Sequence, residues 1–264
     1  MAGTLLLRGM LIGIVAGLLC FGFLKIVGEP QVDWAIAFEA QLDEAKARAE
    51  AQALIAKGLP APKEEPEPEL VSRRVQAGIG LFTAVMVYNV AFGGLFALAF
   101  CLAYGRMGDF GPRTTAAVLA AFGFVAIYLV LNLKYPANPP SVGEPATIGT
   151  RTALYFSMIA TSLAVMVAAG MLRLRLLTRH GPWNAFLIAA GAYLIVVIVV
   201  SLALPPVNEV PAEFPAVVLW QFRIASAGAQ LIVWTTIGIG FGFVAKSSLR
   251  SSQVRDRTSR SAFR

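Results

Sequence analysis

WNAFLIAAGAYLIVVIVVSLAL, running from Trp183 to Leu204, is the stretch that decides what kind of chain this is. It holds 22 residues without a single charge. A helix of about 20 apolar residues rises the roughly 30 Å of a bilayer's hydrocarbon core. Working outward from it, five more stretches read the same way: Leu5–Val27, Ala77–Tyr104, Thr114–Leu133, Thr152–Arg173 and Val217–Ala245. The sequence predicts an all-α, polytopic membrane protein with six transmembrane helices. Composition agrees, with 57% hydrophobic and 14% charged residues, where soluble domains carry about a quarter charged. That balance excludes a soluble enzyme, a nucleic-acid module and a disordered tail protein. Cys20 and Cys101 both lie inside apolar runs, so neither a disulfide framework nor a Cys-x-x-Cys metal site is expected.

The first span could be read as a signal peptide, but its apolar run exceeds the usual 7–15 residues, about half a bilayer crossing. Ala35-Ile36-Ala37 resembles a cleavage site yet lies well past the run, and Leu18-Leu19-Cys20 lacks the small residue of a lipoprotein site. The span is expected to be retained. An even number of spans puts both termini on one side. That side carries 12 basic residues (Arg8, Arg106, Arg113, Arg173, Arg175, Arg179, Lys246, Arg250, Arg255, Arg257, Arg260 and Arg264) against two acids, Asp109 and Asp256. The other side holds 13 acids, ten of them between Glu29 and Glu69. Basic loops stay cytoplasmic, so both termini are expected in the cytoplasm of a bacterial inner membrane. The formal charge of +7 therefore speaks of membrane orientation and not of nucleic acid.

One membrane domain, 1–264, is expected, with an extracytoplasmic helix and linker at 28–76 between spans 1 and 2. Phe38, Leu42, Ala45 and Ala49 recur at helical spacing, and Glu44 sits four before Arg48. Gly58 and Pro60 end that helix. The acidic Pro-rich Lys63–Glu69 follows as an extended stretch. A possible internal repeat of a two-span unit shows at an offset of 70: Gly111-Pro112 matches Gly181-Pro182, Pro136 matches Pro206, Asn138 matches Asn208 and Pro145 matches Pro215. Repeats of this kind recur in transporters, with binding sites between them. Chance similarity of two loop–span–loop units is the competing explanation.

Two Pro-rich loops, 134–145 and 205–215, present Asn138, Glu144, Asn208, Glu209 and Glu213. Carboxylate, amide and carbonyl oxygens suit hard divalent cations. These five are the candidate metal ligands, and their bland alternative is loop capping. The loops are expected side by side at one mouth. Within the spans, Arg223, Ser226 and Gln230 fall on one helix face. Polar residues in a span face the bundle interior or a wet cavity, or glue helices together; Asn89 and Asn132 belong to the same group. Arg223, near a span end, is expected to pair with an outer-loop Glu and lock that loop down. Gly93, Gly94, Gly238, Gly240 and Gly242 suit close helix packing. There is no Gly-x4-Gly-Lys-Ser/Thr loop, and His180 is alone. No catalytic residue is assigned, no permanently bound cofactor is expected, and the chain is read as a non-enzyme.

Val27-Gly28-Glu29-Pro30, the string Tyr135–Pro145 leading to Arg151, Pro206–Pro211 with Phe214-Pro215-Ala216, and Leu219–Arg223 with Ser226 and Gln230 together resemble the CbtA family of predicted cobalt transporter subunits. The resemblance implies a bacterial membrane protein that takes up cobalt(II), linked to cobalamin supply. It also implies a partner: a small one-span, His-bearing membrane subunit (CbtB-like) that would capture the metal first. Membrane lipid is the other partner, a homo-oligomer is compatible, and nucleic acid is not expected. A non-transporting assembly subunit and a membrane-embedded enzyme are the alternative readings.

Overall fold

The computed structural model describes residues 2–60, 71–140 and 142–261, with 251–261 as backbone only. The acidic stretch 63–69, Ser141 and Arg264 lie outside the described residues. Five helices are long and apolar enough to cross a membrane: α1 (Ala2–Ala56), α2 (Arg73–Ala103), α3 (Pro112–Lys134), α4 (Pro145–Ala203) and α5, which begins at Ala216 and continues to Ser261. No strand occurs among the described residues.

The fourth helix carries two of the expected spans. Between them, Gly181 has φ 73° and ψ 169° and is followed by Pro182. That backbone region is essentially glycine-only. Ser162 Oγ and Tyr193 Oη lie 2.9 Å apart, yet 31 residues of straight helix would part them by roughly 46 Å. The helix therefore doubles back at Gly181 as an antiparallel hairpin. A loop over 174–182 was the expectation. Instead the helix persists to His180, because Leu174, Leu176 and Leu177 alternate with Arg173, Arg175 and Arg179, all good helix formers.

The first span also runs on past its apolar end at Val27. The chain passes from helix through a π turn, Leu24–Gly28, straight into Glu29–Ala56. Pro30 has no N–H and its ring crowds the carbonyl four residues back; the wider π turn just before it relieves that crowding without stopping the helix. Lys25 Nζ donates to Ala77 O, in a second π turn at Gln76–Gly80. Glu29, 8% exposed, pairs with Arg73 at 2.6 Å, and Arg73 also reaches Asp33 at 2.9 Å. Phe38 then meets Phe214 edge-on at 5.2 Å. Beyond that contact α1 projects free of the bundle, carrying the exposed Arg48–Glu44 pair.

Helices α1, α2, α3 and α5 share one apolar core, centred on Phe96, Phe100, Val233, Trp234, Ile237 and Phe241. Backbones touch in it. A Cβ added at Gly9 would strike the Gly93 carbonyl, one at Gly13 the Asn89 carbonyl, and one at Gly17 would come within 2.8 Å of Met86 Sδ. Across the bundle Gly238 faces Ala120 and Gly242 faces Arg113 and Ala116. Small residues permit this approach, which supplies the dispersion contact that holds helices together in lipid. The α4 hairpin stands outside that core. Met158, Tyr193 and Val197 pack on Val130 and Leu131 of α3 alone.

Charge separates the two ends of the bundle. All the ion pairs found among the described residues lie at the acidic end. At the basic end, cations rest on neutral groups: Arg8 on Val244 O at 3.0 Å and on the Ser247 and Ser248 hydroxyls, Arg113 over the Phe243 ring at 4.0 Å.

Candidate functional site

The two Pro-rich loops do meet, at the acidic end. Lys134 Nζ donates to Leu204 O at 2.8 Å, and Tyr135 Oη to Pro205 O at 3.0 Å. Prolines leave these segments poor in N–H donors, so their carbonyls are taken by side chains. Asn132 Oδ1 accepts from Ala137 N at 3.1 Å and sets the turn after α3. Val142, Phe214 and Val218 pack beneath the loops with Ala35 of α1. That apolar floor explains why both loops carry a Val or Phe among their polar residues.

Glu209 is the hub. It accepts from Thr147 Oγ1 at 2.6 Å and from Glu144 N at 2.8 Å, and Arg151 Nε lies 3.3 Å from its Oε2. Arg151 Nε is buried without an aligned hydrogen bond, so this last contact is charge attraction more than a directed bond. Its Nη2 donates to Glu144 O at 3.1 Å. The Thr147 hydroxyl and the Glu144 amide hold the Glu209 carboxyl below its ordinary pKa, with Arg151 adding to the shift against some desolvation.

Arg223 does not pair with a glutamate. Its Nε donates to Ala137 O at 3.2 Å and its Nη2 to Asn138 Oδ1 at 3.0 Å. Among the described residues no carboxylate comes within ion-pair distance of it. The loop is locked onto α5 as expected, but through an amide and a carbonyl. The reason is positional: Arg151, at the start of the hairpin, reaches Glu209 first, while the rigid Pro136–Pro140 turn delivers Asn138 to Arg223.

A cleft of about 450 Å³ opens between these locks, lined by Tyr135, Asn138, Arg151, Thr152, Tyr155 and Glu209 and by an equal number of apolar residues, Ile148 and Phe156 of the hairpin among them. Of the five candidate ligands only Asn138 and Glu209 face it, and both are engaged. Glu144, Asn208 and Glu213 are exposed, and Glu144 serves through its backbone. No group of three His, Cys, Asp or Glu able to hold a metal occurs among the described residues.

Below the cleft lies a shelf of uncharged oxygens. Tyr155 borders both. Tyr128, on a π turn of α3 (Phe124–Leu129), points its hydroxyl at Ser226 Oγ, 3.5 Å away. Gln230, one turn further along α5, sits against the Tyr88 hydroxyl. Ser226 and Gln230 were legible as polar residues of one helix face; the three tyrosines were not, because Tyr in an apolar run reads as packing. Asn89 does not join them. It is 1% exposed against Gly13 and Gly17 of α1, its Nδ2 bonds Val85 O at 2.9 Å, and its Oδ1 has no partner.

Long apolar helices around a glycine-packed core, with a cleft at one end, define an integral membrane protein. The chain belongs to the family of probable cobalt transporter subunits, CbtA, whose pattern matches residues 2–246, nearly its whole length. No curated protein and no solved structure matches it.

Proposed function

We propose that the chain is the membrane-embedded subunit of an uptake system for divalent metal, with cobalt(II) as its cargo and cobalamin supply as its purpose. It crosses a bacterial inner membrane six times, both termini in the cytoplasm, counting the α4 hairpin as two crossings. The acidic end, with its cleft, faces outward. A small one-span His-bearing subunit delivers the ion, which accounts for the scarcity of imidazole and thiolate ligands here. The two-span repeat is part of this reading: Lys134–Leu204 and Tyr135–Pro205 join positions 70 apart. The role is carriage and not catalysis.

The observation that carries the proposal is the cleft itself. It is open to the acidic end, sets the Asn138 amide, the Glu209 carboxylate and the Tyr135, Thr152 and Tyr155 hydroxyls among apolar residues, and reaches the polar residues of the spans through Tyr155. Because Glu209 and Asn138 are already engaged, an arriving cation exchanges with Arg151 at Glu209; it does not drop into a preformed cage. Cobalt accumulation by cells with and without the chain, against a panel of competing divalent ions, tests the reading. Accumulation should require the chain and favour cobalt. Equal accumulation in both would leave the assembly-subunit reading. Orientation is tested by impermeant thiol labelling: cysteines placed in 134–151 and 205–216 should react from outside, and those in 105–113 should not.

A further inference from the structure

The shelf beneath the cleft has a chemistry of its own. Tyr88 on α2, Tyr128 on α3, Tyr155 on the hairpin and Ser226 and Gln230 on α5 come from four different helices, Tyr128 beside Ser226, Tyr88 beside Gln230, and Tyr155 next to both Tyr88 and Tyr128. Ser226 and Gln230 stand three and seven residues below Arg223, about 5 and 10 Å deeper along the helix. None of the five carries a charge at neutral pH. A polar residue in a span is normally satisfied by a single helix–helix bond, and a pair would suffice for that. Here a π turn, a feature that often marks functional sites, turns Tyr128 toward α5. Tyr155 belongs to the wall of the cleft as well, so the shelf continues the cleft.

We infer that Tyr155, Tyr128, Tyr88, Ser226 and Gln230 form a second station for a divalent cation, entered from the cleft; this rests on the uptake reading above. The ligand class follows from the donors. Phenol, hydroxyl and amide oxygens are neutral and hard, so they replace part of a cation's hydration without the grip of a carboxylate. A conducting site must bind well enough to admit an ion and weakly enough to release it. The tyrosine ring faces add attraction for a cation without adding charge. Glu209 above supplies charge and selects at entry; the shelf passes the ion on.

The test is the concentration dependence of cobalt uptake in cells expressing the full chain with its native neighbours. Tyr128→Phe, Tyr155→Phe and the double variant remove hydroxyls and keep the rings, so the protein should stay in the membrane at normal abundance. Each lost oxygen contact is expected to lower the maximal uptake rate by about threefold to tenfold, the double more than either, with the half-saturating concentration little changed. Glu209→Gln should instead raise the half-saturating concentration. Phe variants that transport like the unmodified chain would overturn the inference and leave the uptake reading standing, as would losses that only follow lost protein. Absence of uptake by the unmodified chain itself would overturn both.

Discussion

The glycine-packed core and the α4 hairpin lie in one membrane but are held in place by different forces. In the core, helix backbones meet directly: Gly9 on Gly93, Gly13 on Asn89, Gly238 on Ala120. There is no room between those surfaces for a side chain, an ion or a change of register. The hairpin touches one helix of the core through a small apolar cluster. At the acidic end it is fastened by polar bonds around Glu209, Arg151 and Thr147, and at the basic end Arg173 reaches Met107 O at 3.4 Å. Packed backbones have one arrangement, whereas hydrogen bonds and ion pairs at a wet surface exchange with water and with ions. The hairpin is therefore the less tightly packed part of the molecule, and the cleft lies against its first arm, walled on the other sides by the two Pro-rich loops.

The sharpest way to break this contrast is to enlarge one contact in the core. Gly93→Leu must force α1 and α2 apart, since even a Cβ at position 93 meets the Gly9 carbonyl. Overpacking of an ordinary core costs about 1–3 kcal/mol and occasionally more, and a backbone contact cannot repack. Little folded protein should remain in the membrane, as read by fluorescence-detected size-exclusion chromatography of a tagged chain. Near-normal recovery would show that the two regions are equally plastic.

A smaller effect is expected at the hairpin tip. Gly181→Ala places a side chain in a glycine-only backbone region, a strain of about 1–3 kcal/mol. Thermal stability in detergent should fall, with the loss confined to the hairpin by hydrogen exchange. Uniform loss across all helices would contradict the separation. Arg223→Ala comes next: it leaves the Ala137 carbonyl and the Asn138 amide without their donor, worth about 1–3 kcal/mol. Because Asn138 needs a directed fork, Arg223→Lys should recover part of the stability and not all of it. Full recovery would mean that Lys at the membrane surface does the same service.

Acidification gives the smallest and most local effect. The Glu209 carboxyl is held below its ordinary pKa by Thr147, Glu144 and Arg151. A carboxyl whose folded pKa is depressed contributes stability above its unfolded pKa and loses it as pH falls through the folded value. Protection from hydrogen exchange at 144–151, taken relative to the intrinsic amide rate at each pH, should be flat around neutral pH and fall only below the ordinary carboxylate range, and Glu209→Gln should remove that dependence. A transition near neutrality would point to another group.

The sequence made the apolar runs, the meeting of the two Pro-rich loops and the exposed Glu44–Arg48 pair legible, because each depends on spacing alone. Gly9, Gly13 and Gly17 recur every fourth residue and face α2, a small-residue stripe as legible in spacing as the glycines of α2 and α5. That the first span and the extracytoplasmic helix are one continuous helix through Pro30 was not legible, because the π turn that carries the chain through is a property of the folded helix. The Arg223 partner was missed for a different reason. Charge reasoning seeks a carboxylate, and nothing in the sequence says that Arg151 claims Glu209 before Arg223 can. Which candidate ligands share a cleft is likewise set by the loop geometry, which separates Asn138 and Glu209 from Asn208 and Glu213.

The central claim is that the cleft between the hairpin and the two Pro-rich loops is the cation entrance, and blocking it tests that claim most directly. Thr152 is exposed on the wall of the cleft, while Ala212 is exposed on the neighbouring loop outside it. Cobalt accumulation would be measured in cells carrying Thr152→Cys or Ala212→Cys, before and after treatment with a bulky, impermeant maleimide. The account predicts that labelling at 152 stops accumulation and labelling at 212 does not. Unchanged accumulation after complete labelling at 152, or equal loss at both positions, would contradict it.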